Sequence, residues 1–160
     1  MGISLSPPWL DKGVDLKTVA LDAARDLEGK TPQEILRWAA DTFGDRFCLS
    51  SSMGDGVMPS LAASVRPGID VIFLDTGYHF PETIGTRDAV DFVYDVNVRT
   101  VLPLLTVTQQ DAAEGKDLWS TNPDRCCALR KVEPLGRALE GYDAYASGVR
   151  RDESPSRADT

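Results

Sequence analysis

Val71-Ile72-Phe73-Leu74-Asp75-Thr76-Gly77 decides how this chain is read. Four apolar residues stand in a row and then break into a small, polar turn. The run is too short for a helix and lacks the alternation of a strand with one wet face, so it fits a strand covered on both sides. Upstream, Arg46 to Ser51 reads as a strand entering a Ser/Gly-rich turn, with a helix over Val57 to Val65 between the two strands. Downstream, Glu82 to Val93 is helical, Val96 to Val101 a strand and Val107 to Lys116 a helix. Cys126 to Leu139 reads as one helix kinked by Pro134, and Tyr142 to Val149 as a last strand. Strands alternating with helices predict an α/β fold: a mostly parallel sheet with short right-handed crossovers and helices on both faces. In such sheets ligands sit at the carboxyl ends of the strands, so the residues just after each strand carry the functional question.

Further upstream, Leu16, Val19, Ala20, Ala23 and Leu27 recur at helical spacing until Gly29. Thr31-Pro32-Gln33-Glu34 is a capping box with proline at the first helical position, and Gly44 stops the helix it starts. Residues 1–14 are Pro-rich and read as a loose arm, and residues 15–160 as a single α/β domain; Arg150 to Thr160 is polar and closes with no helix or strand, so either a flexible tail finishes the domain or the domain is incomplete at its C-terminus. At 160 residues the chain is long enough for one well-filled core. A net charge of −8 argues against a nucleic-acid surface. No apolar run reaches spanning length and no secretory leader opens the sequence, so no membrane partner is expected and a cytoplasmic location is.

Four motifs fall just after predicted strands. Ser50-Ser51-Ser52-Met53-Gly54-Asp55-Gly56 combines small hydroxyls with glycines, which lets backbone N–H groups converge on an anion; it reads equally as an ordinary flexible turn. In Leu74-Asp75-Thr76-Gly77 the strand meets the ligand edge at Asp75, and Thr76 and Gly77 would allow close approach of a nucleoside; the single histidine, His79, beside aromatic residues, reads as structural before catalytic. Cys126-Cys127 are adjacent and pair poorly with each other, so in a reducing compartment they are either core residues or soft ligands for a metal or cluster. Placed at a helix start, their thiols would feel its positive end, and Arg130 and Lys131 each follow a cysteine by four residues, on the same helical face. Arg150-Arg151 after the last strand fits phosphate or sulfate recognition, or a solvated basic turn.

Taken together, SSSMGDG, LDTGYHFPET, CCALRKVEPL and SGVRRDESPSR, in this order and spacing, resemble the assimilatory sulfonucleotide reductases over nearly all of residues 31–157. The resemblance implies the Rossmann-like adenine-nucleotide α-hydrolase fold. The cysteine pair is similar to the branch acting on adenylyl sulfate, whose members hold a [4Fe-4S] cluster. By that resemblance Cys126 and Cys127 would be two of four cluster ligands. Ser50, Ser51, Ser52, Gly54, Asp55 and Gly56 would cradle the nucleotide, with Leu74, Asp75, Thr76 and Gly77 near adenine and ribose. Lys131, Arg130, Arg150 and Arg151 would face the phosphosulfate or the cluster. Family members carry a later Cys-x-x-Cys and a Glu-Cys-Gly-Leu-His segment with the nucleophilic cysteine; neither occurs in these 160 residues, and Cys48 reads as a core residue.

The activity implied is thioredoxin-dependent reduction of adenylyl sulfate to sulfite and AMP, in sulfate assimilation and cysteine biosynthesis. A chain without the nucleophile is expected to be inactive alone, and a homo-oligomer is left open. The alternatives are an ATP pyrophosphatase or adenylyltransferase of the same fold, from whose Ser-Gly-Gly-x-Asp-Ser loop residues 51–56 depart, and a non-catalytic nucleotide-binding domain.

Overall fold

The computed structural model describes residues 15–153 and 155, without the side chain of Arg151. The expected N-terminal arm, residues 1–14, lies outside them. Helices α1 (Leu16–Asp26) and α2 (Pro32–Phe43) precede strand β1 (Phe47–Ser50), helix α3 (Val57–Val65), strand β2 (Ile69–Leu74), helix α4 (Pro81–Val93) and strand β3 (Val96–Val101). Helices α5 (Val107–Glu114), α6 (Leu118–Thr121) and α7 (Pro123–Cys127) follow, then a π-helical turn over Ala128–Val132, helix α8 (Glu133–Ala138) and strand β4 (Ala144–Ser147).

Local chemistry sets these boundaries. Asp15 caps α1 by accepting from the Lys17 N–H. Both arms of the Thr31–Glu34 capping box form, and Gly44, at φ 57°, ends α2 in a conformation that a side chain would resist. A second capping box, Thr106 with Gln109, starts α5, and Gly115 at φ 92° stops it two residues before the expected end. β2 begins two residues earlier than its apolar run because Asp70 still pairs in the ladder, opposite Asn97.

All four strands are parallel, in the order β3-β2-β1-β4. Phe47, Leu49, Ile69, Val71 and Phe73 point to one face and form the core with Leu36 and Phe43 of α2, Ala62 of α3 and Val90 of α4. Each such Leu or Phe contributes about 1.5–3 kcal/mol of burial. The crossover from β3 back to β4 runs the other way across the sheet and so carries α8 over the opposite face, against β2 and β3. Cys48 is fully buried on that second face, beside a polar group in which Asp70 accepts from Asn97, Arg99 and Tyr142.

β4 pairs with β1 from Phe47↔Ala144 to Ser50↔Ser147. Arg46, just before β1, grips Asp143, just before β4, through both Nε and Nη2. The guanidinium beside Asp143 holds its carboxyl below the usual range. Among the described residues no helix is long and apolar enough to cross a membrane.

Candidate active site

The chain runs β1, β2, β3 outward in one direction and then returns to place β4 on the other side of β1. The strand order therefore reverses between β1 and β4, and a crevice opens at their carboxyl ends. Ser50 and Ser147 stand side by side there in register. The Ser50–Gly56 turn leaves from one and Gly148–Arg151 from the other. Gly148 packs close to the start of α3: a Cβ there would lie 3.3 Å from Met58 Cγ.

The first turn is braced from within. Ser51 donates its N–H to the Ile72 carbonyl at 3.0 Å, and its Oγ accepts from the Met53 N–H at 3.2 Å. Met53 is 1% exposed yet holds a left-handed backbone at φ 54°. That conformation costs a non-glycine residue roughly 1–3 kcal/mol, a cost of the same size as the gain from burying its side chain. The buried thioether thus pins the turn and leaves Ser52, Gly54 and Asp55 exposed at the rim. Asp55 accepts from the Val57 N–H at 2.9 Å, so its carboxylate caps α3 and supplies negative charge where the sequence suggested an anion cradle. Gly56 is tightly packed: a Cβ there would meet the Tyr94 ring at 3.3 Å, so the ring would have to shift slightly to admit one. Arg150 lies in solvent with Asp152 and Glu153 at 3.6 and 3.7 Å; the backbone of Arg151 opens a short 3-10 turn.

The other half of the edge is built differently. Asp75 donates its N–H to the Val101 carbonyl and its carboxylate accepts from the Gly77 N–H at 2.9 Å. Thr76 is buried. Gly77 has φ 76°, and a Cβ there would press Val107 Cγ2 at 3.2 Å. His79 Nε2 lies 2.9 Å from the Leu74 carbonyl, and its ring packs 5.0 Å from that of Phe73, which is a structural arrangement.

The cysteine helix needs a correction. It starts at Pro123, capped by the Asn122 side chain, and the Cys126 N–H already bonds the Asn122 carbonyl at 3.0 Å. The thiols therefore sit at the end of the first turn, not at the helix start. Pro134 produces no simple kink. It has no N–H to offer the Arg130 carbonyl, and the chain ahead of it widens into the π turn, with the Glu133 N–H reaching back to the Ala128 carbonyl. In a plain α-helix, positions four apart drift about 40° per step. The wider turn offsets that drift, and Cys126, Arg130 and Pro134 are all buried in one row. Cys127 and Lys131 face solvent.

Arg130 joins this helix to the β2 edge. It is 2% exposed. Its Nη1 donates to the Leu105 carbonyl at 3.3 Å, and its Cζ lies 5.0 Å from the centre of the Tyr78 ring. Nε and Nη2 are buried without a partner. Neither Tyr78 nor Leu105 was singled out from sequence as a partner for this arginine; the contact spans far too many residues for any spacing rule to show it. A cavity of about 40 Å³ adjoins, lined by Pro103, Leu104, Leu105, Gln110, Leu129 and Glu133. A small-molecule site needs roughly 300–1,000 Å³, so this cavity is too small to enclose a nucleotide.

Two thiols and a buried cation with free N–H groups fit a negatively charged iron–sulfur group in part. Among the described residues no third Cys, His, Asp or Glu gathers with them. Cys48 stands apart, its thiol pushed up to about 12 by burial and by Asp70.

A parallel sheet with its order reversal beside a Ser/Gly turn defines an α/β protein of the nucleotide-binding type. Residues 46–160 match the phosphoadenosine phosphosulfate reductase domain, and the chain belongs to that family. It is 62% identical to the adenosine 5′-phosphosulfate reductase of Streptomyces coelicolor over 146 residues, covering 91% of this chain and 62% of that one. It is 53% identical to the protein of that name from Rhodococcus erythropolis, covering 90% and 62%, and 49% identical to that of Mycobacterium tuberculosis, covering 89% and 63%. The chain thus spans a little over three-fifths of the length of these relatives. Its fold is similar to a phosphoadenylyl-sulfate reductase from Candida auris solved as a phosphate complex, with TM-score 0.69 and 29% identity over 94% of this chain and 71% of the other.

Proposed function

We propose that this chain is the nucleotide-binding part of an enzyme that reduces adenylyl sulfate to sulfite and AMP. The observation that carries the reading is a parallel sheet whose strand order reverses beside the Ser50–Gly56 turn, in a chain of this family whose relatives are named for adenosine 5′-phosphosulfate. Ser50–Gly56 and Gly148–Arg151 would flank the nucleotide in the β1/β4 crevice. Arg130 and Lys131 would offset the charge of the phosphosulfate.

The chemistry is a pair of two-electron thiol steps. A cysteine thiolate from outside these 160 residues attacks the sulfate sulfur, an S–S bond forms, and the S–O bond to AMP breaks with its electron pair leaving on AMP. A thiolate of thioredoxin or a similar dithiol then attacks the cysteine sulfur. Sulfite departs with the bonding pair, leaving a mixed disulfide; the donor's second thiolate then attacks the donor sulfur of that bond, closing the donor's disulfide and expelling the enzyme cysteine as its thiolate. The protein's part is positioning and charge stabilisation.

Cys126 and Cys127 would hold a [4Fe-4S] cluster with two further ligands, and the cluster when bound supplies a fixed charge and a structural tie. Such thiol chemistry suits a reducing compartment, and the cytoplasm is the location this reading proposes. The test is the whole protein, assayed for sulfite from adenylyl sulfate and from its 3′-phosphorylated form with reduced thioredoxin, alongside iron and acid-labile sulfide. Iron-bearing protein that makes sulfite from adenylyl sulfate is expected; iron-free protein that makes none overturns the reading.

A further inference from the structure

Among the described residues, Arg130 is the one charged residue buried as a whole, and half of its guanidinium is already engaged. Nη1 is held by the Leu105 carbonyl, it would lie 3.9 Å from a Cβ on Gly77, and the Tyr78 ring covers the guanidinium. Nε and Nη2 form one edge of the guanidinium, with parallel N–H groups suited to two oxygens of a single anion. Arg46 gives that edge to Asp143, Arg125 to Glu114 and Arg137 to Glu133. On Arg130 the same edge is buried and bare. Burying a cation in this way is costly unless an anion meets it.

We propose that Tyr78 is a positioning residue: with the Leu105 carbonyl it fixes the far side of the Arg130 guanidinium, so that the Nε–Nη2 edge is presented ready-made to an oxyanion. The proposal rests on the reading of this edge as an anionic-nucleotide site, and it adds a residue and a binding mode to it. A free arginine has many rotamers to lose on binding; a guanidinium already stacked and hydrogen-bonded has few.

Inorganic sulfate is the probe, titrated into the protein while two readouts are followed: the dissociation constant and the Arg130 Nε–H resonance, assigned by its loss in Arg130→Gln. Wild type and Tyr78→Phe are expected to bind sulfate alike and to show a protected Nε–H that moves on binding. Tyr78→Leu removes the ring face and is expected to weaken binding about tenfold and to leave Nε–H unprotected. Tyr78→Trp, which keeps a ring, is expected to bind at least as tightly as wild type. If Tyr78→Leu lowers only thermal stability, or if Tyr78→Trp binds more weakly than wild type, or if sulfate leaves the Arg130 resonance unmoved in wild type, the proposal is overturned. Sulfite production is scored separately. Protein that binds sulfate in this pattern yet turns over no adenylyl sulfate breaks the functional reading and leaves the role of Tyr78 standing; active protein with an unmoved resonance does the reverse.

Discussion

The two halves of the sheet's carboxyl edge manage charge in opposite ways. At β1 and β4 the described charges have company: Asp55 accepts from the first N–H of α3, and Arg150 lies between Asp152 and Glu153. What remains for a ligand is backbone and hydroxyl. At β2 and β3 a guanidinium is taken out of water, stacked on one side and left bare on the other. Solvent-exposed ion pairs satisfy themselves at little energetic consequence, whereas a desolvated, half-paired cation persists only if something else completes it. The number of arginines near a site is thus a poor guide; which of them lacks a counter-charge is a better one.

The largest test of that contrast sets Arg130 against Arg150. Arg130→Gln should lower kcat/KM for sulfite production by about 10²–10³-fold, the scale of losing a preorganised donor in a dry site. Arg150→Gln should cost less than about tenfold, because its charge is exposed and shared. A larger loss at Arg150 would invert the comparison. The glycines give the next effect. Gly77→Ala forces a side chain into a left-handed backbone against Val107 and should destabilise by about 1–3 kcal/mol in denaturant unfolding. Gly54→Ala meets nothing closer than Ser52 Oγ at 3.8 Å and should stay within about 0.5 kcal/mol.

Thiol reactivity separates the regions without any ligand. In apo protein at neutral pH, iodoacetamide should modify exposed Cys127 first and buried Cys126 more slowly, with Cys48 reacting only on unfolding. Modification of Cys48 at the rate of Cys127 would contradict the burial of the second face. Because the Cys48 thiol titrates near about 12 in the fold and near about 8.5 when unfolded, its contribution to stability is complete below the lower value. It drains away as pH rises toward the upper one, so Cys48→Ala should flatten the alkaline limb of the stability curve. The smallest effect belongs to the ion pair below the crevice. Asp143→Asn should lower the denaturant midpoint at pH 7. The gap should close in acid as the depressed carboxyl of the wild type is itself protonated.

Much of the fold was legible because the boundaries are chemical. The Thr31–Glu34 box, Gly44, the four-residue apolar run before Asp75 and the alternation around Val57 to Val101 name their own elements. The stretch from Pro123 to Ala138 was legible only in part. Pro134 announced a disturbance, but whether a helix answers by kinking or by widening depends on what its faces must pack against, and that is tertiary information. The four-residue spacing tied Cys126 to Arg130 correctly in direction, and gave no sign of which of the two cation–thiol rows would face inward. Asp55 was grouped with the anion cradle by its neighbours in sequence, although a carboxylate two residues before a helix is equally a cap. The Tyr78–Arg130–Leu105 contact joins three separate segments and leaves no local trace.

The ladder between Phe47 and Ala144 bears on how such a chain is made. Arg46 and its partner Asp143 are 97 positions apart, so β1 emerges from the ribosome long before β4 exists to flank it. At about 5–20 residues per second, one rim of the central strand stays uncapped for seconds, an open template for a neighbouring nascent chain. Polysome crowding and chaperone supply, more than the strength of the finished core, should then govern the yield of native protein.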